Sequence, residues 1–359
     1  MHPTPPRVAD SDQITPAELR LAARNHGLPL EALAYDLTPA GLHYLLVHYD
    51  IPVVDPASWR LTVAGGRELS LSLDELRARP ATTLAVTLEC AGNGRALYAP
   101  RPLSQPWLLE AVGTAEWTGV RLRDVLDEAG GDGVEVLFRG LDRGVEGGED
   151  QRYERSLPLA EAAREEVLLA YAMNGAPLPP QHGFPLRLVV PGWYGMTSVK
   201  WLERIELLDA PFTGYQQRTG YRMRRAAGEP GEPVDRMLPR SLMIPPGFPD
   251  FASRERHLDL GPATVRGRAW SGAGPIERVE VSVDGGASWS DATLGPQPSP
   301  WAWRGWSWEW RPAAAGSYEL CCRATDLSGA VQPLEAEWNL GGYANNGVQR
   351  VPVVVEPAT

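Results

Sequence analysis

The chain has 359 residues, longer than one hydrophobic core usually serves, so two domains are expected. Its formal net charge is −11 and its charges are mixed along the sequence without a basic stripe, which argues against nucleic acid as a partner. Glycine (37) and proline (34) together make about a fifth of the residues, a loop-rich globular composition below the level that signals disorder.

Residues 1–14 read as a loose arm, and the opening Met1-His2-Pro3-Thr4-Pro5-Pro6-Arg7 has neither the apolar run of a secretory signal nor a twin-arginine pair. No apolar run approaches membrane-spanning length, so the expectation is a cytoplasmic protein, periplasmic only if a leader was removed. Thr15-Pro16-Ala17-Glu18 starts a helix with a capping box and proline at its first position, and Gly27 stops it. Ser72-Leu73-Asp74-Glu75 is a second capping box, predicting a short helix over 73–78. The run 84–88 is short, apolar and partly β-branched, as a buried strand is, and it leads to Cys90.

Leu122, Val125 and Leu126 recur at helical spacing until Gly130 and Gly131. Residues 134–138 and 167–173 read as strands, with an alanine-rich helix over about 159–165 between them. Short helices alternating with strands on this scale mean a mixed α+β domain, assigned to residues 1–250. Residues 222–233 form a charged glycine-proline linker. From Ala263 the pattern alternates, and 279–283 followed by Asp284-Gly285-Gly286 is a hairpin signal. Further strands at 306–310, 316–325 and 348–355 complete an all-β sandwich over 251–359. Three cysteines, two of them adjacent at Cys321-Cys322, make no disulfide framework.

One stretch suggests chemistry. In Cys90-Ala91-Gly92-Asn93-Gly94-Arg95 a lone thiol sits at a strand end, before a glycine-broken turn in which backbone N–H groups converge. Taken alone, Cys90 is either a soft metal ligand or a small buried hydrophobe.

That loop resembles the molybdenum-ligand loop of the sulfite oxidase family, and further matches follow in the same order from about Gly41 to Val355. The resemblance implies that Cys90 binds molybdenum held by a single molybdopterin, with Asn93 of the same loop among the cofactor contacts. His48, in Leu46-Val47-His48-Tyr49-Asp50-Ile51-Pro52, takes the place of a family histidine that touches the pterin. The segment from Gln181-His182-Gly183-Phe184 through Arg187 to Ser198-Val199-Lys200-Trp201 resembles the second cofactor segment, which implies that His182, Arg187, Ser198 and Lys200 surround the pterin or its phosphate. Charge-assisted donors of this kind suit a phosphate; singly, Arg187 and Lys200 are better read as solvated charges at a strand edge, and the contiguous match outweighs that reading.

On the substrate side the resemblance implies Arg95 facing the anion, Trp107 lining the pocket unless it is a core aromatic, and Tyr221 as the active-site tyrosine, with Tyr215 as the alternative. Trp270-Ser271-Gly272, Trp301-Ala302-Trp303-Arg304 and Trp338-Asn339-Leu340-Gly341 resemble the family's immunoglobulin-like domain, which implies a homodimer. The implied activity is oxidation of sulfite to sulfate, with electrons passed to a separate acceptor such as a cytochrome, since no haem segment is seen in this chain.

Two departures stand against sulfite. Leu46 and Gly341 occupy positions where the family's sulfite oxidases carry arginines, unless Arg101 or Arg304 enters the pocket instead. A reductase of a sulfoxide or small oxyanion, and a non-catalytic binding protein, are the alternatives.

Overall fold

The structure, a computed structural model, describes residues 8–9 and 13–357; the expected loose arm lies mainly outside them. Both capping boxes form. Thr15 and Glu18 exchange hydrogen bonds at the start of helix Pro16–Ala22, and Ser72 and Glu75 do the same at helix Leu73–Arg77. Helix Leu122–Ala129 buries Leu122, Val125, Leu126 and Ala129 on one face and ends at Gly130, whose φ of 63° is left-handed. Each of those larger side chains contributes about 1.5–3 kcal/mol by leaving water.

The first domain holds two five-stranded sheets. One runs Leu69–Leu71, Leu61–Ala64, Leu202–Leu208, Glu135–Glu146, Glu149–Pro158. The other runs Thr82–Glu89, Val112–Arg121, Leu168–Met173, Ala176–Pro177, with Arg187–Val189 also paired to Leu168–Met173. A core containing Leu61, Leu76, Val125, Phe138, Leu188 and Ile205 joins the first sheet to the two helices.

Two elements differ from expectation. The strand expected over 134–138 continues to Glu146 and turns at Gly147 and Gly148, both with positive φ, into Glu149–Pro158. This hairpin has little apolar alternation because cross-strand ion pairs, Arg143 with Asp150 and Arg139 with Glu154, decorate it. The helix expected over 159–165 is the single turn Leu159–Ala162.

The second domain is all-β. A four-stranded sheet, Arg240–Ile244, Ala263–Trp270, Arg304–Trp310, Thr293–Leu294, faces a six-stranded sheet. The latter runs Phe248–Pro249, Arg256–Asp259, Gln349–Glu356, Gly316–Asp326, Ile276–Ser282, Ser290–Asp291. Gln349–Glu356 shows the sandwich period clearly, with Val351, Val353 and Val355 buried beneath Trp306 and Trp310. Because Arg240–Ile244 pairs with Ala263–Trp270, the sandwich draws its first strand from ahead of residue 250. Cys321 and Cys322 are free, buried thiols of this sandwich. Among the described residues no helix is long and apolar enough to cross a membrane.

Candidate active site

Strand Thr82–Glu89 delivers Cys90 to the junction of the domains, where the Cys90 amide donates to Ala111 O at 2.9 Å. The chain then winds tightly, with Asn93 N donating to Cys90 O at 2.9 Å and Arg95 N to Gly92 O at 3.0 Å, into the turn Arg95–Leu97. Glycine is needed at two positions. A Cβ on Gly92 would lie 2.5 Å from the Arg95 guanidinium, and Gly94 combines φ 87° with an Asn345 side chain 2.9 Å from where its Cβ would stand. Beneath the loop, Glu89 Oε1 accepts from Arg240 at 2.7 Å and Asn93 at 3.0 Å, and Oε2 from the Trp270 indole at 2.8 Å. Arg240 and Trp270 belong to the sandwich, so both domains fix the thiol.

Cys90 lines two adjoining cavities, and Leu46 and His48 line both with it. The inner one is also bounded by His43, Asp142, Tyr153, His182, Arg187, Ser198 and Lys200. Arg187 donates to His182 O at 3.0 Å and Ser198 O at 3.2 Å and stacks 4.6 Å over Trp117. Lys200 Nζ donates to Leu46 O at 2.7 Å and Gln181 O at 3.2 Å. Burial dominates the electrostatics here. It holds the imidazoles neutral, with pKa values lowered to about 4 for His43, about 3 for His48 and about 2 for His182; nearby cations add to the effect on all three. Burial also depresses Lys200, assisted by Arg187, and raises Asp142 against the pull of Lys200.

The outer chamber is lined by Arg95, Gln105, Trp107, Glu146, Tyr221 and Tyr343 among others. Arg95 is 5 % exposed; its Nε donates to Gly341 O at 2.9 Å, its Nη1 to Gln105 O at 3.1 Å, and its guanidinium lies 5.2 Å over the Tyr343 ring. Nη2 makes no hydrogen bond among the described residues, so a donor remains for a ligand. Tyr221 Oη and His48 Nε2 share a hydrogen bond at 2.6 Å, and the His48 ring stacks on Tyr153 at 4.7 Å. Tyr221 sits at φ 46°, a strained backbone for a non-glycine residue. Burial raises its phenol well above the ordinary value, so it keeps its proton. The Cys90 thiol is likewise raised by burial, opposed by the Arg95 charge, the Gly92 amide and the Trp107 indole.

Nine of the ten residues singled out in the sequence thus line the two cavities: Cys90, His48, His182, Arg187, Ser198 and Lys200 the inner one, and Arg95, Trp107 and Tyr221 the outer. Asn93 does not. Its amide is consumed by Glu89, Leu109 O and the Ala111 amide, which makes it a brace of the loop rather than a cofactor contact. Tyr215 lies against Gly147, away from the chamber lining. Neither proposed replacement cation enters: Arg101 is buried against Glu18, and Arg304 donates to Gly295 O and Ile276 O, both at 2.8 Å. The sequence reading missed His43, Asp142, Tyr153 and Tyr343. The first lies in an irregular loop and the next two in the polar hairpin, where no periodicity flags them.

The inner cavity suits an anionic, hydrogen-bonding group. Among the described residues His43 Nε2 and Asp142 Oδ1 are buried without a hydrogen-bond partner, and Arg187 and Lys200 are desolvated cations that an anion would stabilise. Next to a lone thiol, this donor set fits a metal carried on a phosphorylated pterin.

Comparison with known proteins agrees. Residues 48–216 match the family described as oxidoreductase molybdopterin binding domain, and residues 251–356 the Mo-co oxidoreductase dimerisation domain. The chain is 39 % identical over 342 residues to mitochondrial sulfite oxidase of Homo sapiens, covering 89 % of this chain and 62 % of that one. It therefore spans less than two thirds of that relative's length. Sulfite oxidase of Gallus gallus is 38 % identical over 348 residues, covering 90 % of this chain and 74 % of that protein. Nitrate reductase [NADH] 1 of Oryza sativa is 32 % identical, covering 95 % of this chain and 41 % of its own. Among solved structures, the sulfane dehydrogenase SoxCD of Paracoccus pantotrophus superposes with a TM-score of 0.80 at 26 % identity, covering 98 % of this chain and 90 % of that one. Extended identity to sulfite oxidases, on a fold whose thiol loop opens into a cavity built for an anionic cofactor, shows that the chain belongs to the sulfite oxidase family of molybdopterin-binding oxidoreductases.

Proposed function

We propose that the protein oxidises sulfite to sulfate with a single-pterin molybdenum cofactor and passes the electrons to a separate acceptor. The observation that carries this reading is the placement of Cys90 on the wall shared by a cation- and imidazole-lined cavity and a chamber holding Arg95. When bound, the cofactor supplies oxygen-atom transfer and two-electron redox chemistry. Cys90, as thiolate, would hold the metal, and His48, His182, Arg187, Ser198, Lys200 and the two missed residues His43 and Asp142 would hold the pterin and its phosphate. Arg95 Nη2 is the donor for the substrate anion, already oriented by its bonds to Gly341 O and Gln105 O. Tyr221 keeps its hydroxyl proton, and in the His48 tautomer whose Nε2–H donates to Tyr221 Oη that proton is free to be donated toward the anion; Trp107 helps exclude water.

The runner-up, a reductase of a sulfoxide or small oxyanion, draws on Leu46 and Gly341 in place of arginines. Higher identity to sulfite oxidases than to nitrate reductase favours the oxidase. The molecule is proposed to be a homodimer through the domain at 251–356, in a soluble compartment that we assign to the cytoplasm. Sedimentation at micromolar concentration should give the dimer mass; a monomer would contradict it, and periplasmic fractionation of the native protein would correct the compartment. Metal analysis and sulfite assay of Cys90→Ser test the activity. Serine keeps the volume and loses the soft ligand, so turnover should vanish with both domains folded, whereas Cys321→Ser and Cys322→Ser should behave as wild type. Wild-type turnover by a molybdenum-replete Cys90→Ser protein would end the assignment.

A further inference from the structure

The outer chamber is built unlike a site for a small dianion. Among its described lining residues Arg95 is the one cation, and Glu146 lines it too, its Oε2 accepting from Tyr49 Oη at 3.0 Å and Gln216 Nε2 at 2.6 Å. The rest of the wall sets aromatic and aliphatic side chains, Tyr343, Trp107, Tyr221, Leu46 and Val145 among them, beside the neutral polar Asn25, Ser104, Gln105 and Gln216.

Tyr343 creates this character, and it does so at a specific position. A Cβ on Gly341 would lie 2.3 Å from the Tyr343 ring, so the ring fills the space that a side chain at 341 would need. The ring also supports the Arg95 guanidinium at 5.2 Å and packs against Tyr221 at 5.3 Å, while Tyr343 Oη accepts from the Tyr221 amide at 3.4 Å. Its backbone is fixed from both sides. Tyr343 N donates to Asn339 Oδ1 at 3.0 Å, and Tyr343 O accepts from Asn339 Nδ2 at 2.8 Å. The second domain thus places a rigid aromatic wall beside Arg95.

We propose that Tyr343 is a specificity-determining residue and that the chamber takes singly charged sulfur oxyacids with an organic substituent, organosulfinates R–SO2−, in preference to the sulfite dianion. Arg95 holds the sulfinate oxygens and the apolar wall takes R, with only one negative charge to be matched. In the reaction the sulfur lone pair forms one new S–O bond to an oxygen that derives from water, giving R–SO3−. Two protons go to solvent, and two electrons leave singly to the same acceptor class that sulfite oxidation needs. The inference rests on the oxidase reading and deepens it.

Calorimetric titration of the purified full chain with product anions tests it without turnover. Benzenesulfonate should bind about tenfold more tightly than sulfate, near the top of the range a ring-on-ring contact supplies. Tyr343→Val should shrink that ratio below about threefold, and Tyr343→Phe, which keeps the ring, should preserve it. In parallel, benzenesulfinate should exceed sulfite in kcat/KM with ferricyanide as acceptor. Tighter binding of sulfate by the wild type overturns the inference even if Tyr343→Val fails to fold, as does a ratio that survives in folded Tyr343→Val. If sulfite is oxidised while sulfate is preferred, only this inference fails; if no anion binds and no sulfite is oxidised, the oxidase reading fails with it.

Discussion

At the residue scale the inner cavity has a consequence for stability before any cofactor binds. His43 and His182 are buried and neutral in the fold, with pKa values lowered to about 4 and about 2, while in the unfolded chain each titrates near 6.5. Below that pH the unfolded state binds more protons than the folded one. The stability these groups confer is therefore complete above about pH 6.5 and is lost as pH falls toward their folded values, by up to about 1.4 kcal/mol per pH unit for each. Urea midpoints of cofactor-free protein should fall between about pH 7 and pH 5, and His182→Asn should flatten the decline. An unchanged slope in the variant would show that His182 is not held neutral. Of these residues, His182 was legible because it sits in a contiguous motif with Arg187 and Lys200. His43 and Asp142 were not, since neither burial nor an absent partner can be read from a lone polar residue in a loop or a charged strand. Asn93 shows the converse: a residue inside the strongest motif whose side chain serves the loop itself.

At the scale of elements, the decisive contact is the one that couples strand Thr82–Glu89 to the sandwich. Glu89 and Arg240 are an ion pair with side chains 2 % and 1 % exposed, and Trp270 completes the carboxylate's bonding. Removing one partner leaves the other charged and buried, a loss of about 3–5 kcal/mol, whereas a paired apolar replacement can be nearly neutral. Glu89→Ala should lower the unfolding free energy from denaturant titration by that order and loosen the cysteine loop; Glu89→Leu with Arg240→Met should recover much of it. Equal stability of Glu89→Ala and wild type would mean that the clamp is not formed. The capped helices and the valine-rich strand Gln349–Glu356 were visible in sequence because capping boxes and period-two burial are local signals. Hairpin Glu135–Glu146 with Glu149–Pro158 was only half visible, its ion-paired faces hiding the alternation although Gly147-Gly148 marked the turn. The clamp joins residues 151 apart in sequence, beyond the reach of any local pattern.

At the scale of the whole molecule, the two domains build one site: the first supplies Cys90, His48 and the inner cavity, and the second contributes the Gly341 carbonyl and Tyr343 to the outer chamber. The division into an α+β and an all-β unit followed from element spacing, but strand Arg240–Ile244 is short and follows a linker, so its place in the sandwich depends on a partner more than twenty residues away. The charge deficit of the chamber was legible as Leu46 and Gly341; what fills the space is Tyr343, which only the packing reveals. The most direct test of sulfite oxidation in this chamber is the steady-state sulfite kinetics of molybdenum-replete wild type and Leu46→Arg. With Arg95 the one cation among the chamber's described lining residues, added salt should raise the wild-type KM more than it lowers kcat, and a second guanidinium at position 46 should lower KM by a factor equivalent to about 1–3 kcal/mol. Unchanged sulfite kinetics in Leu46→Arg, or a wild type that oxidises no sulfite with any artificial acceptor yet reduces sulfoxides, would contradict the account.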